Sequence, residues 1–255
     1  MSDSGLVRAI PTSPVSATAR RMAFVPFREL TRAEVNRDLQ IHTVATDGQG
    51  TVSELIARAE ALGLEEIAFT EHVRRNSRYF EGFADDVEQA RLKSRVRVSV
   101  GIEVKTEDAQ GTLDVSPEVL RRAEIVLGSV HRFPDGAGGF VSAESVSYAE
   151  AVEREMRLAL GLLRRAPIDV LAHPGGMCQR AFGRFPQDGF EELMRVSLER
   201  RIAVEINTAY TRDLDGFLAL CQRINPVVSV GSDVHEVSQL GACRDALWAR
   251  GIGCA

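Results

Sequence analysis

All five histidines of this 255-residue chain stand at or just after the ends of short apolar runs, and acidic residues accompany them. Asp38-Leu39-Gln40-Ile41-His42-Thr43 is followed by Asp47-Gly48, and Leu64–Phe69 runs into Thr70-Glu71-His72. Val96–Ile102 ends in Glu103, and Ile125–Leu127 leads into Gly128-Ser129-Val130-His131. Ile168–Ala172 ends in His173-Pro174-Gly175, Ile202–Val204 in Glu205-Ile206-Asn207, and Val227–Val230 in Gly231-Ser232-Asp233-Val234-His235. Imidazole binds transition metals through a neutral nitrogen, and carboxylates add charge and can bridge two ions. Five histidines with Asp47, Asp233, Glu103 and Glu205 exceed what one ion needs, so two or three divalent ions are expected. Ions held close together lower the pKa of bound water and stabilise attacking and leaving oxygens alike. Hydrolysis of a phosphate ester is the chemistry this set favours.

Seven apolar runs must bring these residues to one place. Between them lie helical patterns: Thr51–Gly63, whose apolar positions 52, 55, 56, 59 and 62 keep the helical period and whose Gly63 is a natural C-cap; Ala84–Lys93; Pro117–Ala123 behind a Ser116 cap; Ser147–Arg164; Gly189–Arg200; Leu214–Arg223; and Ala242–Ala249. Strand–helix alternation of this kind predicts a parallel α/β architecture. An open doubly wound sheet gathers ligands at one or two switch points, whereas a barrel turns the C-terminal end of every strand toward one mouth. Polar residues at all seven strand ends therefore predict a (β/α)7 barrel of the TIM-like kind.

The chain is long enough for a sizeable core. Residues 1–36 read as an N-terminal extension, partly disordered or packed on the barrel, with a short helix at Thr31–Asn36 started by a Thr31/Glu34 capping box. Residues 37–255 read as the barrel. The net charge of −5 gives no general attraction to nucleic acid, and no apolar run approaches membrane-span length. The N-terminus lacks the apolar core of a secretory signal. Four cysteines (Cys178, Cys221, Cys243 and Cys254) without Cys-x-x-Cys spacing fit a reducing cytoplasm, with Cys178 alone near the histidine set.

Taken together, Asp-Leu-Gln-Ile-His-Thr with Thr-Asp-Gly, Thr-Glu-His, Gly-Ile-Glu, Gly-Ser-Val-His, Ala-His-Pro-Gly and Gly-Ser-Asp-Val-His resemble the motifs of the PHP (polymerase and histidinol phosphatase) superfamily of metal-dependent phosphoesterases. The resemblance spans roughly residues 38–241. Gly111-Thr-Leu-Asp-Val-Ser-Pro-Glu-Val-Leu looks closer to stand-alone phosphatases and to the PHP domains of family X polymerases than to dedicated histidinol phosphatases. The resemblance implies a distorted seven-stranded barrel with two or three ions such as Mn²⁺, Zn²⁺ or Fe²⁺. It places Gln40, His42, Glu103 and Asp233 on a first ion, and Glu103, His131 and His173 on a second. A third ion would take Asp47, His72 and His235. A metal-bridging hydroxide would be the nucleophile, with Glu103, His131 and Asp233 as the residues most directly catalytic.

Gln40 departs from the family's His-x-His. An amide oxygen is a weaker, neutral ligand, so the first ion should be held less tightly or be a harder one. Glu71 is expected to orient a ligating histidine, and Glu205 to be structural. Arg74, Arg75, Arg132, Arg180 and Arg184 follow the ligand motifs and are candidates for phosphate binding, with Lys105 as a weaker one. The partner implied is a small phosphorylated molecule, with no membrane and no stable nucleic-acid partner. A nuclease acting on short oligonucleotides, a histidinol-phosphatase-like enzyme and a non-catalytic metal-binding domain are the competing readings.

Overall fold

A computed structural model describes residues 23–254. The described residues begin with β1 (Val25–Pro26), a 3-10 turn and α1 (Arg32–Val35). It continues through β2 (Arg37–Ile41), α2 (Val52–Leu62), β3 (Glu66–Val73), α3 (Phe80–Arg91), β4 (Arg97–Lys105), α4 (Pro117–Arg122) and β5 (Ile125–Ser129). A hairpin of β6 (Phe133–Pro134) and β7 (Phe140–Val141) precedes α5 (Tyr148–Arg165), β8 (Val170–Leu171), α6 (Gly176–Phe182), α7 (Gln187–Arg200), β9 (Ala203–Asn207), α8 (Leu214–Ile224), β10 (Val227–Gly231) and α9 (Ala242–Trp248).

The main sheet runs β1-β10-β9-β8-β5-β4-β3-β2. Seven of its strands, β2, β3, β4, β5, β8, β9 and β10, pair in parallel, and only β1 runs antiparallel, on β10. The two far edges of the parallel set meet at their C-terminal ends. Ile41 and Val234 form a parallel bridge, His42 N–H donates to Val234 C=O at 2.8 Å, and Val234 N–H donates to Gln40 C=O at 3.0 Å. The result is the TIM-like barrel that the strand-end pattern predicts, distorted where β8 shortens to two residues.

Strand alternation sorts the side chains. Leu39, Ala68, Ile125, Leu127, Val170, Ala172 and Ala203 form a small inner cluster, against which Phe24 and Val227 pack. The larger cluster, including Ile41, Ile67, Phe69, Val100 and Ile102, lies between the strands and helices such as α2, which buries Leu55, Ile56 and Ala59. Capping follows the sequence: Thr51 and Glu54 box the start of α2, Ser116 caps α4 with Pro117 behind it, and Ser147 caps α5. Thr31 and Glu34 box α1, although its regular part ends one residue earlier than the pattern predicts. Residues 1–22 of the expected N-terminal extension lie outside the described residues; from Val25 on, the extension is tied to the barrel through β1.

Candidate metal centre

Above the inner apolar cluster, the strand ends bring eight of the nine expected ligands into one connected group of imidazoles and carboxylates. Glu103, at the C-terminal part of β4, is its hub. One carboxylate oxygen, Oε1, lies 2.8 Å from His131 Nε2 and 2.9 Å from His173 Nε2, and those two nitrogens are 3.3 Å apart. The other, Oε2, is 3.3 Å from His42 Nε2 and 3.3 Å from His72 Nδ1. His42 Nε2 is also 3.1 Å from Asp233 Oδ1. Farther out, Asp47 reaches His72 Nε2 at 3.3 Å and His235 Nε2 at 3.5 Å.

These groups pack tightly without satisfying one another. Glu103 Oε2 and His42 Nδ1 are buried with no hydrogen-bond partner among the described residues. Three overlapping sets have donor atoms within 4.8 Å of one another: His42, Glu103 and Asp233; His72, Glu103 and His131; and His42, Asp47, His72 and His235. Converging lone pairs, buried charge and an orphaned carboxylate oxygen fit divalent cations well. The sets share His42, His72 and Glu103, so the geometry presents one continuous cluster rather than three separate cages.

Electrostatics point the same way. Burial would raise the Glu103 carboxyl, but the charge of His131, hydrogen bonds from His131 and His173, and the nearby His42 outweigh it and hold it well below the ordinary carboxylate range. Burial opposes charge on His42, yet Asp233 and Glu103 push its imidazole up to about 10. For His173, burial is likewise outweighed by Glu103, and the ring is pushed up to about 9. A cation entering here would replace protons as the partner of these carboxylates.

Backbone geometry also marks the site. Of the four non-glycine residues with positive φ among the described residues, Arg201 and Asn225 are helix C-caps, whereas His173 (φ 26°) and Asp233 (φ 53°) belong to the cluster. Such conformations cost on the order of 1–3 kcal/mol and persist where the surrounding structure dictates them. Gly176 serves the same arrangement: a Cβ there would stand 3.0 Å from His173 Nδ1 and 3.2 Å from the Tyr210 ring, which packs on His173 with centroids 4.6 Å apart.

Gln40 sits fully buried on β2, beside Glu205 and Gly231. Its Oε1 accepts from Asn207 Nδ2 at 2.9 Å. Asn207 Oδ1 in turn accepts the N–H groups of Ala209 and Tyr210, so the Asn207 amide is oriented and the Gln40 atom facing it must be the oxygen. That oxygen keeps a second lone pair. Gln40 Nε2 has no partner among the described residues.

Two further carboxylates are structural. Glu71 does not orient His72, contrary to expectation: neighbouring residues of a strand face opposite ways, and Glu71 instead accepts from Thr43 N–H at 2.7 Å and from the Thr46 hydroxyl, fixing the loop that carries Asp47. Glu205 accepts from His173 N–H at 2.7 Å and from Asn207 Nδ2 at 3.1 Å. Burial pushes its carboxyl up to about 8. Cys178 is buried, its thiol raised by burial and by Glu155, and it does not line the site.

The cluster floors a cavity of about 440 Å³. Arg74, Lys105, Arg132 and Arg180 line it, together with Met177 and Tyr210. Arg75 does not: its guanidinium pairs with Glu107 at 2.5 Å. Arg184 instead covers the Tyr148 ring at 4.3 Å. Tyr210 and Asn207 were not picked out as site residues by sequence reasoning, although the Asn of Glu-Ile-Asn ends a strand just as the ligands do.

The PHP domain family matches residues 38–209. The chain therefore belongs to the PHP domain family. A protein of Acetivibrio thermocellus named "Probable phosphatase" is 26% identical over 214 residues, covering 80% of this chain and 81% of that protein. Another protein of that name, from Syntrophotalea carbinolica, is 27% identical over 238 residues, covering 87% and 89%. Among solved structures, a Listeria monocytogenes protein whose name proposes a histidinol phosphatase superposes with a TM-score of 0.61 at 17% identity, over 80% of this chain and 97% of that one, which speaks to the fold.

Proposed function

We propose that this protein is a metal-dependent phosphoesterase that hydrolyses a small phosphorylated molecule with two or three divalent ions, Mn²⁺, Zn²⁺ or Fe²⁺. The observation that carries the reading is the single buried carboxylate of Glu103 meeting four imidazoles, two on each oxygen. The names of the relatives from Acetivibrio thermocellus and Syntrophotalea carbinolica support it.

In this reading His131, His173 and Glu103 would hold one ion. His42, Asp233 and Glu103 would hold another, with Gln40 offering its amide oxygen. Asp47, His72 and His235 would serve a third. Such ions would supply Lewis acidity and an activated water as nucleophile. Glu103, His131 and Asp233 are thereby the catalytic core. The protein's own cations do the rest: Arg74, Arg132 and Arg180 line the cavity and neutralise phosphate oxygens as charge builds in the transition state. Asn207 steadies Gln40, and Gly176 with Tyr210 steadies His173. The cavity suits a small ligand rather than a polymer. No helix among the described residues is long and apolar enough to cross a membrane. The buried, unpaired thiols of Cys178, Cys221 and Cys243 support a reducing, cytoplasmic setting.

A panel of phosphomonoesters, cyclic nucleotides and short oligonucleotides, each assayed with Mn²⁺, Zn²⁺ and Fe²⁺, tests the proposal. It expects turnover of at least one small ester with at least one ion. Absence of turnover throughout, with the ions bound, would overturn it.

A further inference from the structure

Phe140 is the one aromatic among the large hydrophobic residues left exposed in the described structure, at 46%. It leads β7 of the hairpin that follows His131 and Arg132, paired with Pro134 of β6. The hairpin is well fixed. Phe133 is fully buried at its base, and Asp135 Oδ1 accepts the N–H groups of Ala137 and Gly139 at 2.8 and 2.9 Å across the turn. Val141 packs against the core, so alternation turns Phe140 away from it.

The ring meets the cations of the cavity. Arg132 Cζ stands 5.0 Å and Lys105 Nζ 5.5 Å from its centroid. Both side chains also line the cavity over the metal cluster. Lys105 also pairs with Asp114 at 3.1 Å, so the apolar ring sits one side-chain contact away from Arg132, a group suited to phosphate, on a hydrogen-bonded hairpin and open to solvent.

Resting on the phosphoesterase reading, we infer that Phe140 is a stacking platform and that the preferred substrate is a phosphate ester carrying a planar aromatic group. The phosphate lies over the cluster among Arg74, Arg132 and Arg180, while the aromatic group covers the exposed face of Phe140. An aromatic partner in such a place is sequence-tolerant and strengthens binding by stacking alone.

The test uses a matched pair, adenosine 5′-monophosphate and ribose 5-phosphate, each as its hydrolysis-resistant methylenephosphonate. Binding to the metal-loaded protein is followed by calorimetry, for the natural chain and for Phe140→Ala and Phe140→Trp. The natural chain should prefer the adenosine compound by about tenfold. Phe140→Ala should remove that preference and leave ribose binding within about twofold, and Phe140→Trp should keep it. An unchanged preference in Phe140→Ala, or an equal loss for both ligands, would overturn the inference. Phosphate release from the parent esters, assayed alongside, reports separately on the phosphoesterase reading, because the binding comparison needs no turnover.

Discussion

Glu103 and Glu205 are the same residue type at equivalent depth. Each is buried near the C-terminal end of a barrel strand, with Glu103 2% exposed and Glu205 fully enclosed. Burial alone would raise the pKa of both. At Glu103 the imidazoles of His131, His173 and His42 outweigh it and keep the carboxylate ionised. At Glu205 burial prevails over the charge and backbone N–H of His173 and the Asn207 amide, one carboxylate oxygen has no partner among the described residues, and the carboxyl is pushed up to about 8. Environment, not residue type, separates a charge held ready for cations from a carboxyl that is neutral at pH 7 and serves as a structural brace.

The comparison breaks most sharply on the isosteric change to an amide. Glu103→Gln should cut phosphate release by more than the 10–100-fold typical of losing a group that merely supports a ligand, and it should lower the number of ions bound. His131→Ala should lose nearly as much activity, since it removes one of the two imidazoles on Glu103 Oε1; retained activity would refute that half of the cluster. Gln40→His gives the opposite sign. It restores an imidazole where an amide oxygen stands, so the affinity for one ion should rise, by about tenfold. Unchanged metal content and rate would remove Gln40 from the ligand set. Glu205→Gln should matter least. With the native carboxyl protonated at pH 7, the amide replaces it at nearly equal charge, and activity at that pH should stay within about threefold. A collapse comparable to that of Glu103→Gln would erase the distinction between the two carboxylates.

Much of this arrangement is readable from residue order. Seven apolar runs ending in ligand types predict a barrel mouth, and the parallel strands, whose outer edges approach through the bridge of Ile41 and Val234, agree with that reading. Helix starts at Thr51, Ser116 and Ser147 follow from local capping chemistry, which needs no distant partner. What the order of residues hides depends on long-range contact. The hairpin of β6 and β7 and the short α6 are too brief for a periodic signal. Arg75 shares a loop with Arg74, and Arg184 follows the helix α6 that carries Arg180, but they find Glu107 and Tyr148 instead of the cavity, a choice made by neighbours distant in sequence. Glu71 is a different case. Its position beside His72 in a strand already places the two on opposite faces, so period-two alternation argues against a bond to His72, while the loop-holding role depends on the distant Thr43 and Thr46.

Metal content measured together with phosphate release tests the central claim most directly. Protein stripped by a chelator and then titrated with Mn²⁺ should bind two or three ions per chain, and hydrolysis of a small phosphate ester should appear in step with them. Full hydrolysis by the stripped protein, or fewer than two ions bound at saturation, would contradict the account.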